Sequence, residues 1–369
     1  MLIQLSNWST LHRKNLNYGT KREYLIMIKT INVAGITTQG SSFKLANIKA
    51  EEVLSVSSSC TVSWTECIVD DLPAAAKEVT KALGITLDPS ILLGSYLSGY
   101  EDRGEILGLM LPIIVFTESK VRPTPMLIYI RKDHIVTIQD EHAGKILKLS
   151  EYASTFFRKL PTKPEEWVDR QTTLMIRIID ELSEHNFTVL RMIVESAEQI
   201  EIDLAGLRQI PRDLTLEMSN IKTSVLRFLN AIWATHTTVH SLRYGDPDMV
   251  SDNGAILAKF DVILAGLERQ IEVAEHVLEV LTAGMNVLQT EVSNKLGSFL
   301  LWLTVIGTAI LVPNTLATIY GAFPAAEGQS LPRFLGLIFS TVGATYATYW
   351  FVHKWWKKPR RARRKKLHI

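Results

Sequence analysis

The sequence contains little cysteine and none of the short motifs that mark common enzyme active sites. Only two of its 369 residues are cysteine, Cys60 and Cys67, and they do not form a CxxC pair. A Gly-rich phosphate loop and a nucleophile elbow are also missing from the sequence. We therefore expect no enzymatic activity, no required cofactor and no ATP-driven pumping.

Charged residues are absent from two stretches near the C-terminus, Leu296–Ala326 and Phe334–Val352. A helix crosses about 30 Å of hydrocarbon with about 20 predominantly apolar residues. Each stretch is long enough, so the sequence predicts a two-helix transmembrane domain over residues 299–353 with an outer loop at 321–333. Membrane lipid is then an expected partner, and the cell (inner or plasma) membrane is the expected location.

Lysine and arginine are concentrated after the second charge-free stretch. The chain has a net charge of +2, yet nine of its 40 basic residues lie between Lys354 and Lys366. Basic residues directly after a span indicate the cytoplasmic side. We therefore expect a basic cytoplasmic tail over residues 354–369 and a cytoplasmic N-terminus, because two spans return the chain to the same side. A tail that binds nucleic acid is the alternative interpretation of these basic residues. Their position directly after a span favours a role in setting the membrane topology, so no nucleic-acid partner is expected.

The N-terminal part of the chain mixes strand-like and helix-like segments. Leu109–Phe116 and Pro125–Gln139 are rich in β-forming residues, and Asp71–Leu83 has the period of an amphipathic helix. This mixture predicts a cytoplasmic α/β domain over residues 29–150. Residues 1–28 are interpreted as an N-terminal extension.

Strand signals almost disappear over residues 151–298, which we predict to be a cytoplasmic long-helix and stalk region. Pro211 and the turn at Tyr244–Asp248 divide this region into three helices. Apolar residues of the third helix step by three or four without a break: Phe260, Ile263, Leu267, Ile271, Ala274, Val277, Leu281, Met285, Leu288, Val292 and Leu296. A stripe that runs into a span needs partner helices along its length, and copies of the same chain are the simplest partners.

Two motifs around the first charge-free stretch resemble those of the CorA family of divalent-cation channels. They are Val292–Lys295 and, after an uninterrupted hydrophobic run, Pro313–Gly321. The resemblance implies an α+β cytoplasmic domain, a long helical stalk and two transmembrane helices, assembled as a homopentameric funnel. It also implies passive transport of a divalent cation, Mg²⁺ or else Co²⁺, Ni²⁺ or Zn²⁺, driven by the membrane potential.

The sequence departs from this family at the end of the first predicted span. The family has Gly-Met-Asn directly after a tyrosine there, whereas this chain has Tyr320, Gly321, Ala322 and Phe323. The resemblance implies that the asparagine of the signature holds the hydration shell of Mg²⁺, and a phenylalanine side chain offers no oxygen for that purpose. A non-conducting oligomeric membrane scaffold or regulator that retains the fold is therefore the alternative function. The Gly-Met-Asn at Gly284–Asn286 lies too early to be the signature.

One face of the first predicted span carries the residues that we expect to line a pore. They recur at three- or four-residue steps, and several match pore-lining positions of the family: Leu300, Leu303, Gly307, Leu311, Asn314 and Thr318. The leucines would form apolar constrictions that gate by dewetting, or else serve ordinary helix packing. Asn314 would face the pore, or else bond to another helix or to a carbonyl freed by Pro313. Glu327 in the outer loop is either one member of a carboxylate ring at the pore mouth or a solvated loop charge.

A cytoplasmic regulatory cation site has one candidate residue on the stalk. The family builds such sites from acids of the stalk and of the α/β domain. Here the stalk candidate is Asp261, whereas the matching α/β position holds Leu93 and Gly94. The resemblance therefore implies a metal ligand at Asp261 but no complete family-type site.

Two further clusters of polar residues lie on the long helices. The first helix carries four acids that we interpret as a solvated face rather than a cation reservoir: Glu195, Glu198, Glu201 and Asp203. His236 and His240 are one helical turn apart and could share a metal ion. Their own helix supplies neither a third ligand nor the glutamate base of a zinc hydrolase.

Overall fold

The computed structural model describes residues 28–95, 97–117, 120–161, 163–206 and 212–322, together with residues 332, 335–336, 338–347, 349–350 and 354. Contacts divide the chain into two units, Met1–Gly284 and Met285–Ile369. The predicted N-terminal extension lies outside the described residues except for Ile28, which begins the first strand. The predicted basic tail lies outside them except for Lys354.

Among its described residues, the first unit contains seven strands, six α-helices and the beginning of a seventh. In chain order these are β1 (Ile28–Thr37), β2 (Ser42–Leu45), α1 (Ala50–Ser58), β3 (Cys60–Val69), α2 (Leu72–Ala82), α3 (Pro89–Leu93), β4 (Gly99–Asp102), β5 (Ile106–Thr117), β6 (Lys120–Arg131), β7 (His134–Asp140), α4 (Leu149–Phe156), α5 (Trp167–Gly206), α6 (Arg212–Tyr244) and α7 (Gly254–Ala322). Helix α7 begins in the first unit and ends in the second.

The strands form one seven-stranded sheet in the order β2-β1-β3-β7-β6-β5-β4. Every neighbouring pair is antiparallel except β3 and β7, which are parallel. The segment Pro125–Gln139, which the sequence suggested as one β-rich run, is divided between β6 and β7. The division occurs because Asp133 takes a positive φ of 60°, a conformation in which aspartate closes tight turns.

Helices α1 and α2 bury their apolar faces against this sheet. Leu72, Ala75, Ala76 and Val79 recur on one side of α2 and are almost fully buried. They join a cluster that includes Leu127 of β6 and the β7 residues Val136 and Ile138. Gly84 follows α2 with a φ of 65°, a left-handed conformation that ends the helix.

The sheet also buries a carboxylate. The side chain of Glu66 in β3 is 1 % exposed and accepts hydrogen bonds from Asn32 Nδ2 (2.8 Å), Gln139 Nε2 (3.1 Å) and the Leu149 amide (3.2 Å). Burial raises the pKa of Glu66, and the three hydrogen bonds oppose that rise. Because each donor comes from a different element, this carboxylate ties β1, β7 and the start of α4 to β3.

Helices α5 and α6 pack against β5 and β6. The Val121 amide donates to Ser224 Oγ at 3.2 Å, and His185 Nε2 lies 2.9 Å from the Ile114 carbonyl oxygen. Helix α7 is joined to α5 by Gln270, whose buried Nε2 donates to the Ser183 carbonyl oxygen at 3.1 Å. The three long helices predicted from the sequence are thus present; α5 and α6 pack beside the sheet, and the beginning of α7 packs on α5.

The apolar stripe predicted on α7 is buried over most of its length in the first unit. Phe260, Ile263, Leu267, Ile271, Ala274, Val277 and Leu281 are all at most 7 % exposed. In the second unit, Met285 is partly buried and Leu288 is 6 % exposed. Val292 and Leu296 continue the same spacing, but they are 50 % and 58 % exposed within the single chain. The stripe therefore extends beyond the packing that one chain provides.

The second unit contains the end of α7 and helical residues at 335–336, 338–347 and 349–350. Within the described part of the chain, no helix combines the length and the apolar character of a membrane crossing. The predicted spans and outer loop include positions outside the described residues, among them 323–331 and 351–353.

Candidate functional site

The residues predicted to line a pore lie on one face of α7. At 100° per residue, the six positions from Leu300 to Thr318 fall within an arc of about 80°. Leu300, Leu303 and Leu311 are 57 to 63 % exposed. An added Cβ at Gly307 would meet nothing within 4 Å. Within one chain the leucines of this face are therefore exposed.

Threonine hydroxyls along the same stretch of α7 form hydrogen bonds within the helix. Each donates to the carbonyl oxygen four residues earlier at 2.7 to 2.8 Å: Thr304 to Leu300, Thr308 to Thr304, Thr315 to Leu311 and Thr318 to Asn314. A hydroxyl paired in this way needs neither water nor a second helix. These threonines are thus compatible with an apolar environment.

Asn314 differs from those threonines. Its side chain is exposed and makes no hydrogen bond with another described residue. An unpaired amide is costly in an apolar environment. The amide of Asn314 is therefore open to a partner such as water, an ion, a second chain or a part of this chain outside the described residues.

The degenerate signature lies at the end of α7. Tyr320, Gly321 and Ala322 are the last residues of the helix, so the helix enters the predicted outer loop by two residues. Phe323 and Glu327 lie outside the described residues. The roles predicted for them stay predictions.

Asp261, the predicted stalk ligand, is engaged in an ion pair. Its Oδ1 lies 2.9 Å from Arg243 Nε and its Oδ2 lies 3.2 Å from Arg243 Nη2. The hydroxyl of Tyr244 lies 3.4 Å from Oδ1. A cation bound by Asp261 would have to compete with the guanidinium. Leu93 ends α3 and Gly94 follows it, so that position supplies no carboxylate.

Three of the four acidic positions predicted on α5 are on the protein surface. Glu195, Glu198 and Glu201 are exposed, and Glu195 lies 3.9 Å from Arg191 on the same helix. The side chain of Asp203 lies outside the described residues. This arrangement is consistent with a solvated face.

The histidine pair on α6 has a neighbour that the sequence did not identify. Glu268 of α7 places Oε1 3.5 Å from His236 Nε2. Glu268 lies outside the apolar stripe of α7, and the sequence pattern could not indicate which helix lies opposite it. Across the described residues, no three His, Cys, Asp or Glu side chains converge closely enough to hold a metal ion as they are placed.

Comparison with known families identifies the chain. Residues 61–354, about four fifths of the sequence, match the family model described as CorA-like Mg²⁺ transporter protein. The chain belongs to the CorA family. Members of this family are homo-oligomeric transporters of divalent cations rather than enzymes. Among curated proteins, no match was found.

Solved structures support the CorA fold. The complete CorA magnesium transporter from Methanocaldococcus jannaschii has 17 % sequence identity and a TM-score of 0.68, with 87 % of this chain and 96 % of that chain covered. The soluble domain of the same CorA has 18 % identity and a TM-score of 0.54, with 69 % and 95 % covered. The full-length CmaX protein has 12 % identity and a TM-score of 0.58, with 89 % and 97 % covered. At these identities the similarity shows the fold alone.

Proposed function

We propose that this CorA family member is a passive membrane channel for divalent cations, with Mg²⁺ as its main ion. In this proposal two helices of each chain cross the membrane, and both termini are cytoplasmic. Five copies, the number that the resemblance implies, surround a pore with the α7 face from Leu300 to Thr318. Stalk movements open and close the apolar rings at Leu300, Leu303 and Leu311.

The side chain of Asn314 is the observation that carries this proposal. On a face where neighbouring threonines bond within the helix, its exposed amide has no hydrogen-bond partner among the described residues. A ring of such amides would present oxygen atoms to a hydrated cation, which matches the preference of Mg²⁺ for oxygen ligands and retained water. This ring would replace the missing asparagine of the signature, where Phe323 stands.

The apolar surface of α7 favours an oligomer in lipid. Ile306 and Trp302 lie about 100° and 140° from the centre of the proposed pore face and are 52 % and 47 % exposed. A helix that is apolar on all sides must be covered by lipid or by other helices. Two helices of a single chain leave no closed wall around a water path, so conduction requires several copies.

The membrane potential supplies the driving force in this proposal. Moving one charge across 100 mV is worth about 2.3 kcal/mol, and a doubly charged ion gains twice that. No cofactor is needed. Glu327, in the predicted outer loop, would contribute to a carboxylate ring that concentrates cations at the pore mouth.

The proposal is tested by flux into proteoliposomes that contain the purified protein under an inside-negative potential. Mg²⁺, Co²⁺, Ni²⁺ and Zn²⁺ are measured in parallel for the wild type, for Asn314→Leu and for empty vesicles. We expect saturable flux in the wild type, largest for Mg²⁺, and its loss in the variant. Thr304→Val serves as a matched control, because that hydroxyl is bonded within α7.

The scaffold alternative predicts a different result. A protein that is folded and oligomeric but passes none of the four ions would be a non-conducting member of the family. The substitution of Met-Asn by Ala322-Phe323 is the sequence feature that favours this alternative.

A further inference from the structure

A groove between α6 and α7, within the first unit, brings together side chains that neither helix groups by itself. It has a volume of about 560 Å³, and its polar lining residues are His236, His240, Tyr244, Asp261 and Glu268. The histidines come from α6, and the two acids come from α7. Asp261 is held by Arg243, which leaves Glu268 as the carboxylate facing the histidines.

The separation between His236 and Glu268 suits two ligands of one metal ion. Protein nitrogen and oxygen ligands lie about 2.0 to 2.2 Å from Zn²⁺, so two ligand atoms around a tetrahedral ion are about 3.4 Å apart. His236 Nε2 and Glu268 Oε1 are 3.5 Å apart. An ion could enter between these atoms with little displacement of either helix.

His240 can supply the third ligand after a change of rotamer. Its ring centroid is 6.3 Å from that of His236, with 29° between the ring planes, and the side chain is exposed. Tyr244 contacts the ring of His240 at 4.7 Å between centroids. The three ligands do not converge as they are placed. An exposed imidazole exchanges rotamers readily, and a helical i, i+4 histidine pair can chelate one ion.

We propose that His236, His240 and Glu268 form a binding site for one transition-metal ion of the Zn²⁺, Ni²⁺ and Co²⁺ class. Imidazole ligands select these ions, whereas Mg²⁺ prefers oxygen ligands and keeps its water. The bound ion joins α6 to α7. The site is separate from the proposed pore residues, and it does not depend on conduction by the protein.

Metal binding to the full-length protein in detergent tests this site. Equilibrium dialysis measures Zn²⁺ and Ni²⁺ bound per chain, with a large excess of Mg²⁺ present. We expect the wild type to bind one more metal ion per chain than His240→Gln or Glu268→Gln. If a variant still binds that ion, we expect the affinity of the wild type for it to be at least about tenfold higher. Both substitutions replace exposed side chains, so we expect both variants to fold as the wild type does. The size of the oligomer in detergent, compared with that of the wild type, checks this.

His276→Gln is the matched control. His276 is another exposed histidine on α7, and it does not line the groove. We expect this variant to bind as the wild type does. Equal binding by the wild type, His240→Gln and Glu268→Gln overturns the site, and displacement of Zn²⁺ by the excess Mg²⁺ overturns its ion class.

Trp233 provides a second, local readout. Its ring lies 5.8 Å from that of His236, centroid to centroid. Ni²⁺ bound at the site should quench part of the tryptophan fluorescence, and Trp233→Phe should remove that part while Ni²⁺ binding by dialysis stays unchanged. Quenching of the same size in Trp233→Phe would place the bound ion elsewhere. Because binding is measured without flux, failure of conduction leaves this test intact.

Discussion

The guanidinium of Arg170 on α5 donates to the carboxylate of Asp133 in the turn between β6 and β7, with 2.5 Å between Nη2 and Oδ1. The side chain of Arg170 is 2 % exposed, and that of Asp133 is 26 % exposed. Arg170 also donates to the carbonyl oxygens of Pro161 and Lys163. This pair fixes the sheet to the long-helix layer at the tip of a hairpin.

Asp133→Ala should destabilise the protein because it leaves a buried guanidinium without its carboxylate. We expect a loss of about 3 kcal/mol, at the lower end of the range for a broken buried pair because Asp133 is partly exposed. Glu151→Ala removes an exposed pair with Lys148 and should cost less than about 1 kcal/mol. Thermal unfolding of the full chain compares the two variants. Equal shifts of the unfolding midpoint would mean that the Arg170 pair contributes no more than a surface pair.

His134 should make the protein less stable in mild acid. Burial, with a smaller contribution from nearby Arg131, lowers the pKa of His134 from 6.5 to about 4. Between these values the unfolded chain takes up a proton that the folded chain does not, so stability falls as the pH decreases from about 6.5 towards 4. The loss is at most about 3 kcal/mol for a difference of this size.

His134→Gln should flatten this pH dependence, because glutamine takes up no proton. Nε2 of His134 lies 3.0 Å from Thr65 Oγ1, and the glutamine amide can retain that hydrogen bond. Unfolding midpoints of both proteins are compared at pH 7.5 and pH 5. Parallel decreases in the two proteins would contradict the assignment to His134.

The sequence was sufficient to predict the buried face of a helix from its period. It was insufficient to predict which strands pair and which side chains from different elements meet. The spacing from Phe260 to Leu288 identified the buried face of α7, since only one helical face can pack on its neighbours. The parallel pairing of β3 with β7 was not predictable, because three strands and two helices separate them in the chain. The burial of Glu66 depends on donors from three other elements, and no local pattern contains that information.

In the candidate site, too, the features of one helix could be predicted from the sequence and the contacts between helices could not. The face that includes Asn314 follows from helical period alone, because its members belong to one helix. The position of Glu268 beside His236 required the packing of α7 on α6. The engagement of Asp261 by Arg243 likewise depends on that packing.

Gly35→Ala should destabilise the sheet. A Cβ at Gly35 of β1 would lie 2.8 Å from the carbonyl oxygen of Val62 in β3, and a backbone atom cannot move aside cheaply. We expect a loss of about 1 to 3 kcal/mol, as for other overpacked core positions. Gly254→Ala, where the added Cβ meets nothing within 4 Å, is the control and should change stability by less than about 1 kcal/mol. A neutral Gly35→Ala would show that β1 and β3 can separate without cost.

Leu303→Ser should increase cation flux if Leu303 forms a dewetting constriction. A hydroxyl in an apolar ring favours water in the narrow part of the pore and so lowers the barrier to ions. Leu301→Ser is the control, because it lies about 160° from Leu303 around α7. Proteoliposome flux at a fixed potential measures both variants. Unchanged flux in Leu303→Ser, or an equal increase in both, would assign Leu303 to helix packing.

The water accessibility of α7 tests the pore face most directly. Single cysteines are placed at Leu303, Leu311 and Asn314, and at Val305 on another side of the helix. A water-soluble thiol reagent is then applied during flux measurements. The wild type, in which Cys67 is buried and Cys60 half-buried, gives the background. We predict block of flux at Leu303, Leu311 and Asn314 but not at Val305; block at all four positions, or only at Val305, would contradict a pore along this face.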